Sequence, residues 1–312
     1  AKGLDKALAE SNIDVCQSLF DYYQSFDSTK NEGGFDVIGK DPNSAEISIK
    51  RVPESLLAEA KSYSDTAIYV IGRVGAEEGN LGADDLCLSV NEEETLDYII
   101  ENYDKVIIIL NTSNPWELGF LEGRGISRNT GNSLAKYTGK IDAALWVGCP
   151  GLVGTVAIGE VLAGTVNPSG RLADTYPYDN MSSPAVNNFQ STFFADNKSI
   201  SYTSYVEGIY TGYKWYETAA YEGTIDYEDY SGQSTLPFIS EKVSQGVMYP
   251  FGYGLSYTTF KWELVSAGEK DGSIVLEVKV TNTGSAAGKD VVEVGKCAVK
   301  LKNVGIPPAE QG

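Results

Sequence analysis

Apolar residues at the start of the chain recur at helical spacing. Ile13, Val15, Leu19 and Phe20 are set against Asp5, Glu10 and Asp14, which predicts one or two amphipathic helices within residues 1–28. Between Lys30 and Ser48 the periodicity lapses, with Gly33-Gly34 and Asp41-Pro42 as turn signals around a short strand at Phe35–Ile38. Helical spacing returns at Pro53–Ser64: proline sits in the first turn, Leu56, Leu57 and Ala60 share a face, and Glu54, Glu59 and Lys61 lie elsewhere. Ile68, Val70 and Ile71 then form an uncharged run of β-formers, the pattern of a strand covered on both faces of a parallel sheet. Ser89-Val-Asn-Glu92 has the form of a capping box and opens a helix to Tyr103, with Leu96, Ile99 and Ile100 inward. Val106–Leu110 and Ala143–Val147 are two further strands, separated by a short helical turn at Glu117–Leu121 and a turn-rich loop at Gly123–Ser133. Gly148-Cys-Pro-Gly151 leads into a helix at Thr155–Leu162, and Asn167-Pro-Ser-Gly-Arg171 turns into Leu172–Tyr176. Strand and helix alternating in this way predict an α/β fold over residues 1–177, a doubly wound sandwich with a mostly parallel sheet. No segment ahead of the first helix supplies an opening strand.

After Pro177 the pattern changes twice. Residues 178–247 lose helical spacing and accumulate rings, among them Tyr202, Tyr205, Tyr210, Tyr213, Trp215, Tyr216, Tyr221, Tyr227 and Tyr230. They read as an aromatic-rich linker whose rings either stack on flat ligands or pack the linker onto a domain. In the final stretch, residues 248–312, alternation takes over. Ile274, Leu276, Val278 and Val280 point one way and Val275, Glu277, Lys279 and Thr281 the other, and Asn282-Thr-Gly284 turns the chain toward Asp290–Val294. That is antiparallel β, the beginning of an immunoglobulin-like sandwich.

Length and charge narrow the function classes. The chain's 312 residues suffice for two domains with cores of their own. With 43 acidic against 24 basic residues and a net charge of −19, neither nucleic acid nor an anionic membrane surface is an expected partner. No apolar run is long enough for a membrane span, and no leader is visible. Cytoplasmic location is therefore expected, with secretion as the alternative. Cys16, Cys87, Cys149 and Cys297 lack metal-type spacing and are expected as free, mostly buried thiols. The chain has no histidine, which removes Ser-His and Cys-His catalysis and the commonest metal ligand, so neither a metal nor a cofactor is expected. Gly148-Cys-Pro-Gly-Leu-Val-Gly154 lacks the Lys and the glycine order of a phosphate-cradling loop.

Acid/base chemistry must then fall to carboxylates, Tyr, Lys or a thiol. The first apolar strand runs out into Arg73-Val-Gly-Ala-Glu-Glu-Gly-Asn80, and open α/β sheets place ligands at the carboxyl ends of their strands. Gly75 and Gly79 let such a loop hold Glu77 and Glu78 over a neighbouring surface. The bland reading of the pair is a solvated acidic loop.

Three phrases carry a resemblance. Asn167-Pro-Ser-Gly-Arg-Leu172, Tyr249-Pro-Phe-Gly-Tyr-Gly-Leu-Ser-Tyr-Thr-Thr-Phe260, and Val280-Thr-Asn-Thr-Gly284 with Gly288-Lys-Asp-Val-Val292 stand in the order and spacing seen in family 3 glycoside hydrolases. Tyr205-Val-Glu-Gly-Ile-Tyr-Thr-Gly-Tyr-Lys-Trp-Tyr-Glu217 resembles that family's linker between its α/β domain and its fibronectin type III-like domain. The resemblance implies a retaining β-glycosidase of the β-glucosidase type, acting on terminal β-linked glycosides or oligosaccharides with two carboxyl groups about 5 Å apart. In the family an Asp nucleophile lies on a (β/α)8 barrel, and the acid/base Glu comes from an α/β-domain loop with an Arg shortly before Gly-Glu-Gly. Matched without a gap, Glu77 takes that position; a shift of one residue selects Glu78. Arg73 then contacts sugar hydroxyls or orients Glu77, or else only pairs with Asp84 or Asp85. Asn111 and Asn114, at the next strand's end, shape loops, and Phe251-Gly-Tyr-Gly254 is a turn locking two domains together. Departures count as well. The chain holds no barrel and hence no family nucleophile, so its implied partner is the (β/α)8 barrel domain of the same enzyme, and alone it is expected to be inefficient. Its fibronectin type III-like part is truncated, since residues after Val294 do not continue the strand pattern. The alternative is a non-catalytic carbohydrate-binding or structural remnant of such an enzyme.

Overall fold

In a computed structural model of the chain, residues 2–25, 46–73, 81–151, 153–188, 192–193, 201–205, 207–225 and 246–294 are described. They belong to two compact units, Ala1–Leu255 and Ser256–Gly312. The first unit begins with helices α1 (Lys2–Glu10), α2 (Gln17–Ser25) and α3 (Glu54–Tyr63). Strand β1 (Thr66–Arg73), helix α4 (Val90–Asn102), strands β2 (Lys105–Thr112) and β3 (Ala143–Trp146) and helix α5 (Thr155–Leu162) come next. The predicted strand at Phe35–Ile38 lies outside the described residues.

The sheet is parallel with order β1-β2-β3. Thr66 pairs with Lys105 and Arg73 with Thr112, while Ile107 pairs with Ala143 and Leu110 with Trp146. All three carboxyl ends therefore emerge along one edge. Helix α4 starts where its capping box predicts: Ser89 Oγ accepts from Glu92 N at 3.3 Å, and Glu92 Oε2 accepts from Ser89 N at 2.8 Å. Its Leu96 and Ile99 are buried with Tyr69 and Ile71 of β1, Ile108 and Leu110 of β2, and Trp116 and Phe120 beyond β2. Each such side chain contributes about 1.5–3 kcal/mol of transfer free energy. Helices α1 and α5 cross closely at Gly159, where a side chain would fall on the Ala7 carbonyl oxygen and Ser11 Oγ.

The segment predicted to continue as Leu172–Tyr176 forms only the short β4 (Tyr176–Pro177). Leu172 instead bonds the Phe251–Gly254 turn: Leu172 N donates to Tyr253 O at 2.9 Å and Gly252 N to Leu172 O at 2.8 Å. Arg171 Nη1 adds a bond to Gly254 O at 2.5 Å, so this turn is tied to the Asn167–Leu172 turn within the first unit. The linker region is not free of helix. It contains α6 (Pro184–Asn188), the paired short strands β5 (Thr192–Phe193) and β6 (Ser201–Tyr202), and α7 (Tyr213–Tyr221), before β7 (Val247–Tyr249) pairs antiparallel with β4. Tyr216 and Ala219 of α7 bury against Ile225 and Val247, and the Tyr216 hydroxyl lies 2.7 Å from Ser182 Oγ. Tyr213 stacks on Phe251 with ring centroids 4.5 Å apart. These rings pack the linker, whereas Tyr205 and Tyr221 are exposed.

The second unit is a β-hairpin of β8 (Phe260–Lys270) and β9 (Ser273–Asn282). It turns at Asp271-Gly272, with φ of 53° and 75°, the left-handed region a two-residue hairpin loop requires. Asp290–Val294 carries no regular structure. Of the three cysteines among the described residues, Cys87 is buried as expected, Cys16 is half-buried and Cys149 is exposed, because the turn before α5 leaves it uncovered, and all three are free thiols. Cys297 lies outside the described residues.

Candidate active site

The parallel register fixes where β1 ends. Ile71 is buried beneath α4, and two residues later on the same face Arg73 is only 5% exposed. A buried guanidinium must have its charge and all of its N–H groups met inside the protein. Here all five are. Nη1 and Nη2 bond the two carboxylate oxygens of Glu92, each at 2.5 Å. Nη1 also reaches Gly72 O at 2.8 Å, Nη2 reaches Cys87 O at 3.3 Å, and Nε donates to Asp85 O at 3.0 Å. The Trp116 ring, fully buried, lies 4.6 Å from the guanidinium carbon. Glu92 thus closes the capping box of α4 and neutralises Arg73 at once. The acidic partner of Arg73 is Glu92, not the sequence neighbours Asp84 and Asp85, and no donor is left over for a sugar hydroxyl.

Glu77 and Glu78 lie outside the described residues, in the segment 74–80 between β1 and this clamp. On the far side of that segment the backbone is held carbonyl by carbonyl. Asn129 Nδ2 donates to Asp84 O at 3.0 Å and to Leu88 O at 2.8 Å, and Glu117 N donates to Leu86 O at 2.9 Å. With Arg73 on Asp85 O and Cys87 O, every backbone oxygen from Asp84 to Leu88 is engaged. Nothing in the spacing of Trp116, Glu117 or Asn129 announced this; the contacts exist only because β2 delivers its exit loop beside that of β1. Asn114 does shape a loop, its backbone N and O both bonding Thr112 Oγ1 at 3.1 and 3.0 Å.

Two more carboxyls near the edge are perturbed. Glu46 is pushed up to about 8, by burial first and by the charge of Glu92 second, with Arg73 opposing. Its Oε1 is buried without a hydrogen-bond partner among the described residues. Glu117 is pushed up to about 7 by burial, against the pull of Arg128, whose Nη2 lies 2.7 Å from Glu117 Oε1 and 2.5 Å from Asp179 Oδ1. Glu117 and Arg128 line a small recess together with Cys87, Phe120 and Tyr178. Among the described residues no group of three or more carboxylates and thiols is arranged to hold a metal ion, and no helix is long and apolar enough to cross a membrane.

The model of the glycosyl hydrolase family 3 C-terminal domain matches residues 7–213. A β-glucosidase of Ruminococcus albus is 32% identical over 295 residues, covering 94% of this chain and 25% of that protein. Among solved structures, a β-glucosidase from Paenibacillus barengoltzii is similar at 26% identity with a TM-score of 0.61, over 88% of this chain and 26% of that one. β-Glucosidase 3B from Thermotoga neapolitana has the same fold, with a TM-score of 0.62 at 23% identity over 90% of this chain and 34% of that one. The chain spans 25% and 29% of the length of the first two curated relatives.

Proposed function

The chain belongs to glycosyl hydrolase family 3, through its C-terminal domain, and from that premise we propose that it supplies the acid/base half of a retaining β-glucosidase. The observation that carries the reading is the acidic segment Arg73–Asn80 leaving the carboxyl edge of a parallel sheet, where α/β sheets place ligands. Glu77 is the proposed general acid/base. Its carboxyl gives a proton to the glycosidic oxygen as that bond breaks, while an Asp on a (β/α)8 barrel of the same enzyme attacks the anomeric carbon. In the second half of the reaction the Glu77 carboxylate takes a proton from the water that releases the sugar. Glu78 next to it disfavours ionisation of both groups together and so helps Glu77 keep its proton near neutrality. Arg73, with its five N–H groups taken within the protein, has none left for the sugar.

Hydrolysis of an aryl β-glucoside by this chain, alone and mixed with a family barrel domain bearing its Asp, tests the split site. Activity only in the mixture is the expected result. Glu77→Gln in the complete enzyme is expected to lose about 100- to 10,000-fold on alkyl glucosides and far less on glucosides with activated leaving groups. Equal sensitivity on both would move the role to Glu78, or to neither residue and so to a non-catalytic remnant.

A further inference from the structure

We propose that segment 46–52 is a pH-operated strap: it lies closed over the amino-terminal part of α4 while the Glu46 carboxyl keeps its proton, and it opens when that proton is lost. Hydrogen bonds at its outer side tie it down. Asn91 Nδ2 donates to Glu46 O at 2.9 Å, Lys50 Nζ to Glu94 Oε1 at 2.6 Å and Ser48 Oγ to Glu94 Oε2 at 3.4 Å, and Tyr22 OH of α2 donates to Arg51 O at 2.6 Å. Within the strap, Arg51 N bonds Ser48 O at 2.9 Å, Val52 N bonds Ile49 O at 3.0 Å, and the Val52 side chain is buried. The outer bonds join exposed or half-buried groups, where water replaces a lost partner at small cost.

The inner contact is of another kind. The Glu46 carboxyl faces Tyr23 of α2, Tyr69 and Arg73 of β1 and Glu92 of α4, with Thr95 of α4 beside Tyr69. Glu46 Oε1, Tyr69 OH and Thr95 Oγ1 are all buried with no hydrogen-bond partner among the described residues. Arg73, the cation in reach, has given both Nη atoms to Glu92 and its other N–H groups to backbone carbonyls. Two carboxyls thus share one guanidinium, and Glu92 holds it. An ionised Glu46 stands buried beside a second carboxylate with no donor on Oε1 and no counter-charge of its own, a state relieved either by a proton or by withdrawal into water. Glu46 is accordingly pushed up to about 8, by burial first and the Glu92 charge second. Burial and then Glu46 push the hydroxyls of Tyr23 and Tyr69 up as well, so neither ionises before it. Between the two sides of the contact it is the strap that moves, because Tyr69, Arg73, Glu92 and Thr95 sit on a strand and a helix packed into the core.

The sign follows from the raised value. Closure is fully favoured below about pH 4.5 and is lost as pH rises toward 8, so the open-to-closed ratio grows about tenfold per pH unit, about 50-fold from pH 6 to pH 8, and then levels off. Amide exchange at Arg51 and Val52 reads it in the 312-residue chain, parent and Glu46→Gln, from about pH 6 to about pH 9, with Leu96 and Ile108 as core amides. Dividing parent by variant at each pH removes the base catalysis of exchange itself. The expected ratio at Arg51 and Val52 climbs about 50-fold between pH 6 and pH 8 and then flattens. Dilute urea is expected to leave these two amides unchanged while it speeds Leu96 and Ile108, the mark of a local opening. Asn91→Ala, which removes an outer bond and no titrating group, is expected to speed Arg51 and Val52 about 5-fold at every pH. Protection factors of the parent alone follow the same pH course, so the test stands even where a variant does not fold. The proposal is overturned by a ratio flat with pH, by Arg51 and Val52 following the core amides in urea, or by Asn91→Ala leaving them as slow as in the parent.

Discussion

Glu46→Gln isolates a strongly perturbed buried carboxyl of the first unit. Glu46 has an ordinary value of 4.5 and is held at about 8, by burial and then by Glu92, with Arg73 pulling the other way. Between those two values the folded chain keeps a proton that the unfolded chain gives up. Stability contributed by the protonated form is therefore complete below about pH 4.5 and is lost as pH rises toward 8. The slope for one proton is at most about 1.36 kcal/mol per pH unit, which over this window sets a ceiling of about 5 kcal/mol. Gln has nearly the same shape and no proton to lose. Urea unfolding of parent and variant, followed by far-ultraviolet circular dichroism from about pH 4 to about pH 9, should give curves that coincide at the acid end and diverge toward the alkaline end, the variant being more stable. Glu117, pushed up to about 7, lowers stability over part of the same range but does so in both proteins, so it cancels in the difference. A difference that is flat with pH, or that widens toward acid, refutes the reasoning.

Ser89→Ala removes the oxygen that caps α4 and should cost about 1 kcal/mol by urea unfolding, with no new pH dependence. Gly159→Leu drives a side chain into the Ala7 carbonyl and Ser11 Oγ; a loss of about 1–3 kcal/mol, seen as a lower Tm, is expected together with weaker protection of α1 amides. Leu96→Ala opens a hole under the sheet at a fully buried site, for about 2–5 kcal/mol. Gly272→Val, at φ of 75°, should destabilise the β8–β9 hairpin by about 1–2 kcal/mol, read as faster amide exchange within the hairpin.

Local signals were legible in proportion to how local their causes are. The cap of α4 needs only Ser89 and Glu92, three residues apart, and the structure has it. Strands β1 and β2 need only a run of β-formers, and both are present, but β1 is buried on one face and not on both as expected: Ile71 is covered while Val70 is 38% exposed. Helix α7 escaped notice because its inward positions are tyrosine and alanine, residues that do not mark a helical stripe as leucine does, and because Gly208 and Gly212 ahead of it read as loop. The short β4 escaped for a different reason. Leu172 spends its backbone bonds on Gly252 and Tyr253, partners eighty residues on that no window of local sequence contains.

The site shows the same division for a functional reason. The proposed acid/base pair Glu77-Glu78 was legible because two adjacent carboxylates after an apolar run stand out in the sequence. The groups that hold the backbone at Asp84–Leu88 have the opposite requirement. To fix a backbone they must be screened from water, and a buried Arg, Glu or Trp then sits among core positions and takes on their pattern. Arg73 falls in the inward register of β1, Glu92 in the first turn of α4, and Trp116 is as buried as any leucine. Sequence offered Asp84 and Asp85 as partners for Arg73 because they are near in the chain. The fold prefers Glu92 because the amino end of α4 lies against the strand end, where one carboxylate can satisfy a helix cap and a guanidinium together. The buried cluster around Arg73 is written in no run of adjacent letters, only in the pairing of β1 with β2 and the packing of α4 upon them.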